Sequence, residues 1–267
     1  MIRDITLGQY YDTDSPIHKM DPRTKVLYTI FYMVVLFLLD NIYEYATVLL
    51  LTGIIIKLSN IPLRFIIKGL KPIILLVVIT ALLNLFMTPG KDILFSYGFL
   101  KISKEGVFAA SKMAIRIIML IIGSSVLTLT TTPTVLTGGL ELLFSPLKKI
   151  GIPVSAFVMM ISIALRFIPT LVDETDKIIK AQTSRGADFE NKNPLKRIKS
   201  MIPILIPLFV SSFRRADELA VAMECRCYNS DAKRTSFRRF EFKKYDLFAL
   251  VSAILFVIII VCIKVVL

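Results

Sequence analysis

An all-α, polytopic membrane fold is predicted by three observations. Of the 267 residues, 55% are hydrophobic. The mean hydropathy is +0.70. Apolar blocks close to spanning length alternate with short polar links. The expected architecture is about five transmembrane helices plus long, kinked amphipathic helices on the cytoplasmic side. A net charge of +13 could point to nucleic acid in a soluble protein. Here it reads as cytoplasmic positive-inside charge, because no basic segment interleaves aromatics that could stack on bases. No nucleic-acid partner is expected; membrane lipid is.

The N-terminal arm, MIRDITLGQYYDTDSPIHKMDPRTK, is polar and lacks an apolar core with a cleavage site, so it does not read as a signal peptide. The first two spans are Val26 to Leu39 and Tyr43 to Ile56, parted by a tight turn at Asp40-Asn41. The third runs from Pro72 to Met87, the fourth from about Val107 to Thr130. The fifth, Leu247 to Ile263, is almost free of charge and is the clearest. Arg3, Lys19, Arg23 and Lys25 precede the first span, and Lys57, Arg64, Lys68 and Lys71 link the second to the third. The first turn offers only Asp40 and Glu44. That alternation predicts a cytoplasmic N-terminus in a multi-pass protein of the cell membrane. The expected division is residues 1–131 for the arm and four-span bundle, 132–245 for a cytoplasmic domain of long helices, and 246–267 for the last span.

Between the fourth and fifth spans lie a short amphipathic candidate, Val135 to Lys149, and two long helical patterns, Pro153 to Arg185 and Pro194 to Arg226. Each long pattern covers 33 residues, about 50 Å at 1.5 Å per residue. Pro169, Pro203 and Pro207 should kink them. Arg166 lies inside the first apolar half, and the second apolar core, Met201 to Phe213, is too short to span. Both are therefore expected along the cytoplasmic surface. In the first, Leu171, Val172, Thr175, Ile178, Ile179 and Gln182 form one face, opposite Asp173, Glu174, Asp176, Lys177 and Lys180. In the second, Phe213, Ala216, Ala220, Met223 and Cys227 form a stripe with a small-xxx-small pair, opposite Arg214, Arg215, Asp217 and Glu218.

Both patterns end on an arginine between small residues: Ser184-Arg185-Gly186 and Cys225-Arg226-Cys227. A single arginine there is ordinarily a surface residue stabilising the helix dipole. The repetition, and the narrow tip that small neighbours leave, point instead to insertion of a guanidinium fork into an acidic groove. These six residues are the candidate docking site for a soluble partner. Catalytic chemistry finds no support. There is no phosphate-binding G-x-x-x-x-G-K-[ST] loop and no convincing Ser/His/Asp set. The single histidine, His18, reads as interfacial. Cys225-x-Cys227 has no second ligand pair for zinc, so no metal or other cofactor is expected. Three cysteines suit a reducing compartment better than a disulfide framework.

SPIHKMDPRTK (Ser15 to Lys25), LRFIPTLVDETDKIIKAQTSRGADF (Leu165 to Phe189) and RRADELAVAMECRCY (Arg214 to Tyr228) together resemble the transmembrane T component of energy-coupling factor transporters, a family that includes the cobalt-transport Q subunit. The resemblance covers most of the chain. It implies a non-catalytic coupling subunit, with ATP hydrolysis on two cytoplasmic ABC-type ATPase subunits and substrate capture by a small membrane S component. The transported substrates would be vitamins or metal ions. It also implies that Arg185 and Arg226 are the family's two groove-inserting arginines. Where the family's second motif has Ala-Arg-Gly, this chain reads Cys225-Arg226-Cys227 and lacks the glycine that commonly supplies a left-handed C′ residue. The alternative is a self-sufficient secondary transporter with a midplane substrate site, hinted at only by the proline breaks. A membrane-anchored assembly factor is a third reading.

Overall fold

The computed structural model describes residues 10–89, 92–97, 100–187, 189, 194–229 and 240–266. These fall into two compact units: Phe144–Arg239 lies in one, and Gly8–Leu143 with Phe240–Leu267 forms the other.

The discontinuous unit opens with α1 (Pro22–Phe37) and α2 (Ile42–Ser59). Asp21 caps α1 by accepting from the Arg23 amide at 2.9 Å, with Pro22 in the first turn. Glu44, fully buried, closes the turn into α2 by accepting from the amides of Asp40 at 2.8 Å and Asn41 at 3.2 Å. The third rod is α3 (Leu63–Leu70) and α4 (Ile74–Met87), joined through a 3₁₀ turn at Lys71–Ile73. That tighter turn places Pro72 where its missing N–H does least harm, so the span begins at Leu63 rather than at Pro72 as the sequence suggested. A two-stranded antiparallel hairpin, β1 (Ile93–Tyr97) and β2 (Leu100–Ser103), precedes α5 (Lys104–Thr130) and is the exception to the all-α pattern among the described residues. Between the third and fourth apolar blocks the sequence shows no such element, because one short hairpin carries too little periodicity to register. Ser103 caps α5 through the Gly106 amide at 3.0 Å. After α6 (Pro133–Leu143), the unit resumes with α9 (Lys244–Val266).

Polar contacts at the two ends of the bundle set the helix directions. At the end bearing the N-terminal arm, the Lys25 ammonium donates to the Thr130 carbonyl at 3.0 Å, the Thr131 hydroxyl at 3.2 Å and the His18 carbonyl at 3.2 Å. There the Asp21 amide also donates to the Asp246 carboxylate at 2.8 Å. At the far end, Arg116 donates to the Leu39 carbonyl at 2.8 Å, Lys112 to the Asp40 carbonyl, and Lys264 pairs with the Asp40 carboxylate at 3.3 Å. Hence α5 runs antiparallel to α1 and α9 runs parallel to it. The N-terminus of α9 and the C-terminus of α5 share one end.

Tyr32, Val35, Leu36 and Leu39 of α1 and its end pack on Tyr45 and Val48 of α2, Met119 of α5, and Phe256 and Ile260 of α9. Outward faces stay apolar: α4 buries no residue, and Leu75, Met87 and Phe248 are exposed, as rods facing hydrocarbon require. Among the described residues, five helices are long and apolar enough to cross a membrane: Ile42–Ser59, Leu63–Met87, Lys104–Thr130, Val154–Ser184 and Lys244–Lys264. Four of these coincide with expected spans. The fifth, Val154–Ser184, was read from the sequence as a surface helix. The remaining expected span lies in α1, which at 16 residues is short by that criterion yet supplies much of the bundle core.

Gly123 shows how tightly the bundle closes. A β-carbon there would lie 2.6 Å from Cε1 of Tyr32. Thr52 spends its own proton on the Val48 carbonyl, so the Tyr32 hydroxyl donates to Thr52 at 2.7 Å. Gly123→Ala should push the ring off that partner and cost about 1–3 kcal/mol, read as a lower unfolding temperature in detergent.

The second unit holds a 3₁₀ turn (Ser145–Ile150), α7 (Val154–Ser184) and α8 (Pro194–Cys225). Both helices run unbroken through Pro169, Pro203 and Pro207. Their bounds match the sequence reading to within a residue, with Pro153 as the N-cap of α7 and Pro194 opening α8.

Candidate functional site

α7 ends in a double-bonded left-handed cap. The Gly186 amide donates to the Thr183 carbonyl at 2.9 Å, the Ala187 amide reaches back to Gln182 at 3.0 Å, and Gly186 has φ +87°. Arg185 is the cap residue itself. α8 ends the same way with no glycine. The Cys227 amide donates to Glu224 at 2.9 Å, the Tyr228 amide to Met223 at 3.0 Å, and Cys227 has φ +54°. Both arginines thus occupy the same position in the same motif. The missing glycine leaves the geometry intact and shifts its cost onto a cysteine held where side chains are disfavoured by about 1–2 kcal/mol. Cys227→Gly should therefore stabilise this tip by roughly 1 kcal/mol, seen as stronger hydrogen-exchange protection of the Cys227 and Tyr228 amides.

All six predicted docking residues are exposed: Ser184, Arg185 and Gly186 at one tip, Cys225, Arg226 and Cys227 at the other. The Ser184 hydroxyl turns back onto the Lys180 carbonyl at 3.1 Å, leaving the arginine as the outward polar group of its tip. The two triplets are not brought together. Tyr228, just past the α8 tip, donates its hydroxyl to the Met159 sulfur at 2.9 Å, beside the first turns of α7. Glu174, further along α7, accepts from Ser211 and Arg215 midway along α8. The helices are therefore antiparallel. With 26 positions between Met159 and Arg185, the tips stand about 39 Å apart along the axis of α7.

The Glu174–Arg215 pair is what sequence reasoning missed. Both residues fall on the charged faces of their own helices in the sequence pattern, yet each turns toward the other helix. Single-helix periodicity cannot find a pair defined by two helices crossing. The predicted stripe fares better: Ala216, Ala220 and Met223 face Ile163, Phe167 and Leu171 across a cleft of about 480 Å³, whereas Phe213 points outward.

In the other unit, the N-terminal motif builds a polar anchor rather than a ligand site. The ring Nε2–H of His18 donates to the Tyr11 carbonyl at 2.9 Å, and Nδ1 accepts from Ser15 at 2.7 Å. Burial, the largest influence, lowers the pKa of His18 below its ordinary value, which keeps the ring in this neutral form at pH 7. Arg23 lies over the Phe242 ring at 5.2 Å and donates to the Phe240 carbonyl at 3.1 Å.

A lipid-facing helical bundle whose sequence is interrupted by a long antiparallel helix pair with exposed arginine tips defines a polytopic membrane component. A family model described as cobalt transport protein, CbiQ, matches residues 13–237. The chain is 54% identical over 246 residues, 92% of both chains, to the energy-coupling factor transporter transmembrane protein EcfT of Ruminiclostridium cellulolyticum. It is 51% identical over 258 residues, 96% of both, to the protein of the same name from Clostridium kluyveri. Against that of Bacillus subtilis it is 43% identical over 254 residues, 95% of this chain and 96% of the relative. The chain belongs to this family, the transmembrane components of energy-coupling factor transporters.

Proposed function

We propose that this chain is the non-catalytic coupling subunit of an ABC-type importer, gripping two cytoplasmic ATPase subunits through Arg185 and Arg226 and transmitting their motion to a small substrate-binding S component. The observation that carries the reading is the pair of identical arginine-bearing caps at opposite ends of one antiparallel helix pair. Two grips about 39 Å apart suit two ATPases better than one. Nucleotide-driven closure would draw the tips together. The Glu174–Arg215–Ser211 contact is the one polar joint between the helices among the described mid-helix residues, and it would carry that movement from one to the other. The substrate class, vitamin or metal ion, is set by the S component.

Chain topology supports a cytoplasmic placement of both tips. α5 ends and α9 begins at the same end of the bundle, so the intervening chain must cross the membrane an even number of times or not at all. α7 is apolar enough to cross; α8 is not among the helices that are. A lone crossing by α7 is therefore inconsistent with the bundle, and an upright antiparallel pair would put the two tips on opposite faces of a core about 30 Å thick. A pair lying along the membrane puts both tips in the cytosol, on the side that the Lys/Arg-rich links also favour.

A membrane-impermeant maleimide tests this with the native tip thiols in a Cys262→Ser background. Labelling of Cys225 and Cys227 in inverted vesicles but not in intact cells is expected. Labelling in intact cells would overturn the cytoplasmic placement. Co-purification of the full chain with an ABC-type ATPase pair and one small membrane protein in fixed ratio is the companion result.

A further inference from the structure

We infer that Cys225 and Cys227 form a thiol-modification site, closing to an intrachain disulfide that dismantles the second arginine tip and releases its partner. This rests on the docking reading above. Both thiols are free and exposed, and they bracket Arg226. From the helix radius and rise, Cα atoms two positions apart lie about 5.4 Å from one another, within the 4.4–6.8 Å span that disulfides occupy. Direction is the obstacle. Two residues apart on a helix means about 200° of rotation, so the side chain of Cys225, the last residue of α8, starts out turned away from a residue two positions on.

Bridging therefore requires the peptides of Arg226 and Cys227 to rotate. That motion breaks the amide bonds from Cys227 to Glu224 and from Tyr228 to Met223, which define the cap. Cys227 already sits at φ +54°, so leaving the cap relieves backbone strain instead of adding it. The other tip carries Ser184 and Gly186 at the equivalent positions and has no such chemistry. Only one of the two grips is redox-sensitive.

The oxidant is a low-molecular-weight disulfide. One protein thiolate attacks it, forming a mixed disulfide and expelling one small thiol. The second protein thiolate then attacks the protein sulfur of that mixed disulfide and expels the other. The two protein thiols lose two electrons to the small disulfide, and their protons end on the two small thiols released. A short, strained bridge has a relatively high reduction potential, so it forms only when the thiol pool is oxidised.

The test uses the full chain in nanodiscs, in a Cys262→Ser background, treated with oxidised glutathione. Expected are a loss of two hydrogens from the peptide containing both cysteines, loss of exchange protection at the Cys227 and Tyr228 amides, and a roughly tenfold fall in capture of the ATPase pair that dithiothreitol reverses. In a Cys225→Ser/Cys227→Ser variant, capture should no longer respond to the oxidant, whatever its starting level. Mixed disulfides without a bridge, or a bridge with both amides still protected, would overturn the inference. So would a bridge that leaves capture unchanged while Arg226→Glu lowers it. If Arg226→Glu also leaves capture unchanged, the docking reading itself fails, and the mass and amide data separately decide whether the tip is oxidised.

Discussion

Reversing charge at both tips, Arg185→Glu with Arg226→Glu, is expected to abolish capture of the ATPase pair while leaving the membrane fold unchanged. Both side chains are exposed at helix ends, so nothing in the interior depends on them. A guanidinium inserted into an acidic groove makes charge-assisted, two-pronged hydrogen bonds, and truncating one partner of such a pair costs about 2–5 kcal/mol. Each single alanine variant should therefore weaken capture by roughly 30-fold to a few thousandfold. Glutamate adds like-charge repulsion, and two such tips leave no foothold. Arg185→Lys should fall between, because lysine keeps the charge and loses the fork. Arg214→Glu, on an exposed face of the same helix, is the control and should alter capture by less than about 1 kcal/mol. Equal losses from the tip and control variants would show that the helices bind by general charge rather than by their ends.

That expectation rests on features the sequence carried unusually well. Long helices bounded by proline at one end and a small-Arg-small triplet at the other announce both termini, and α7 and α8 begin and end where those signals stand. Spans were legible because hydrocarbon demands unbroken apolar runs of about 20 residues. What stayed hidden needed two segments at once. Asp246 looks like a first-turn acid of α9, and Asp21 like a simple N-cap, until the fold brings a partner 225 positions away within hydrogen-bonding distance. Lys112 and Arg116 read as ordinary charges on a span. Their use is to satisfy the Asp40 and Leu39 carbonyls where α1 gives way to the turn. The αL conformation of Cys227 was equally invisible, because a cysteine gives no local signal for a position that glycine normally marks.

The anchor at Asp246 yields the largest expected effect on folding. Asp246 is fully buried, and its two oxygens accept from the Asp21 amide at 2.8 Å and from the Lys243 amide at 2.8 Å. One bond caps α9; the other fastens it to the start of α1. Asp21 in turn caps α1 and faces Arg23 at 3.4 Å, and Lys25 closes the same buried corner against the end of α5. Two carboxylates and two cations thus offset one another where water is scarce. Removing one member leaves the remainder uncompensated, which costs about 3–5 kcal/mol. Asp246→Ala should lower the unfolding temperature in detergent sharply and expose the start of α9 to proteolysis and hydrogen exchange. Asp246→Asn keeps an acceptor for one amide and loses the charge, so it should recover part of the loss but not all. Its place in the other compact unit separates folding from docking. Whatever Asp246→Ala protein folds at low temperature should still capture the ATPase pair through Arg185 and Arg226, because the helix pair that carries them is a compact unit held by contacts of its own.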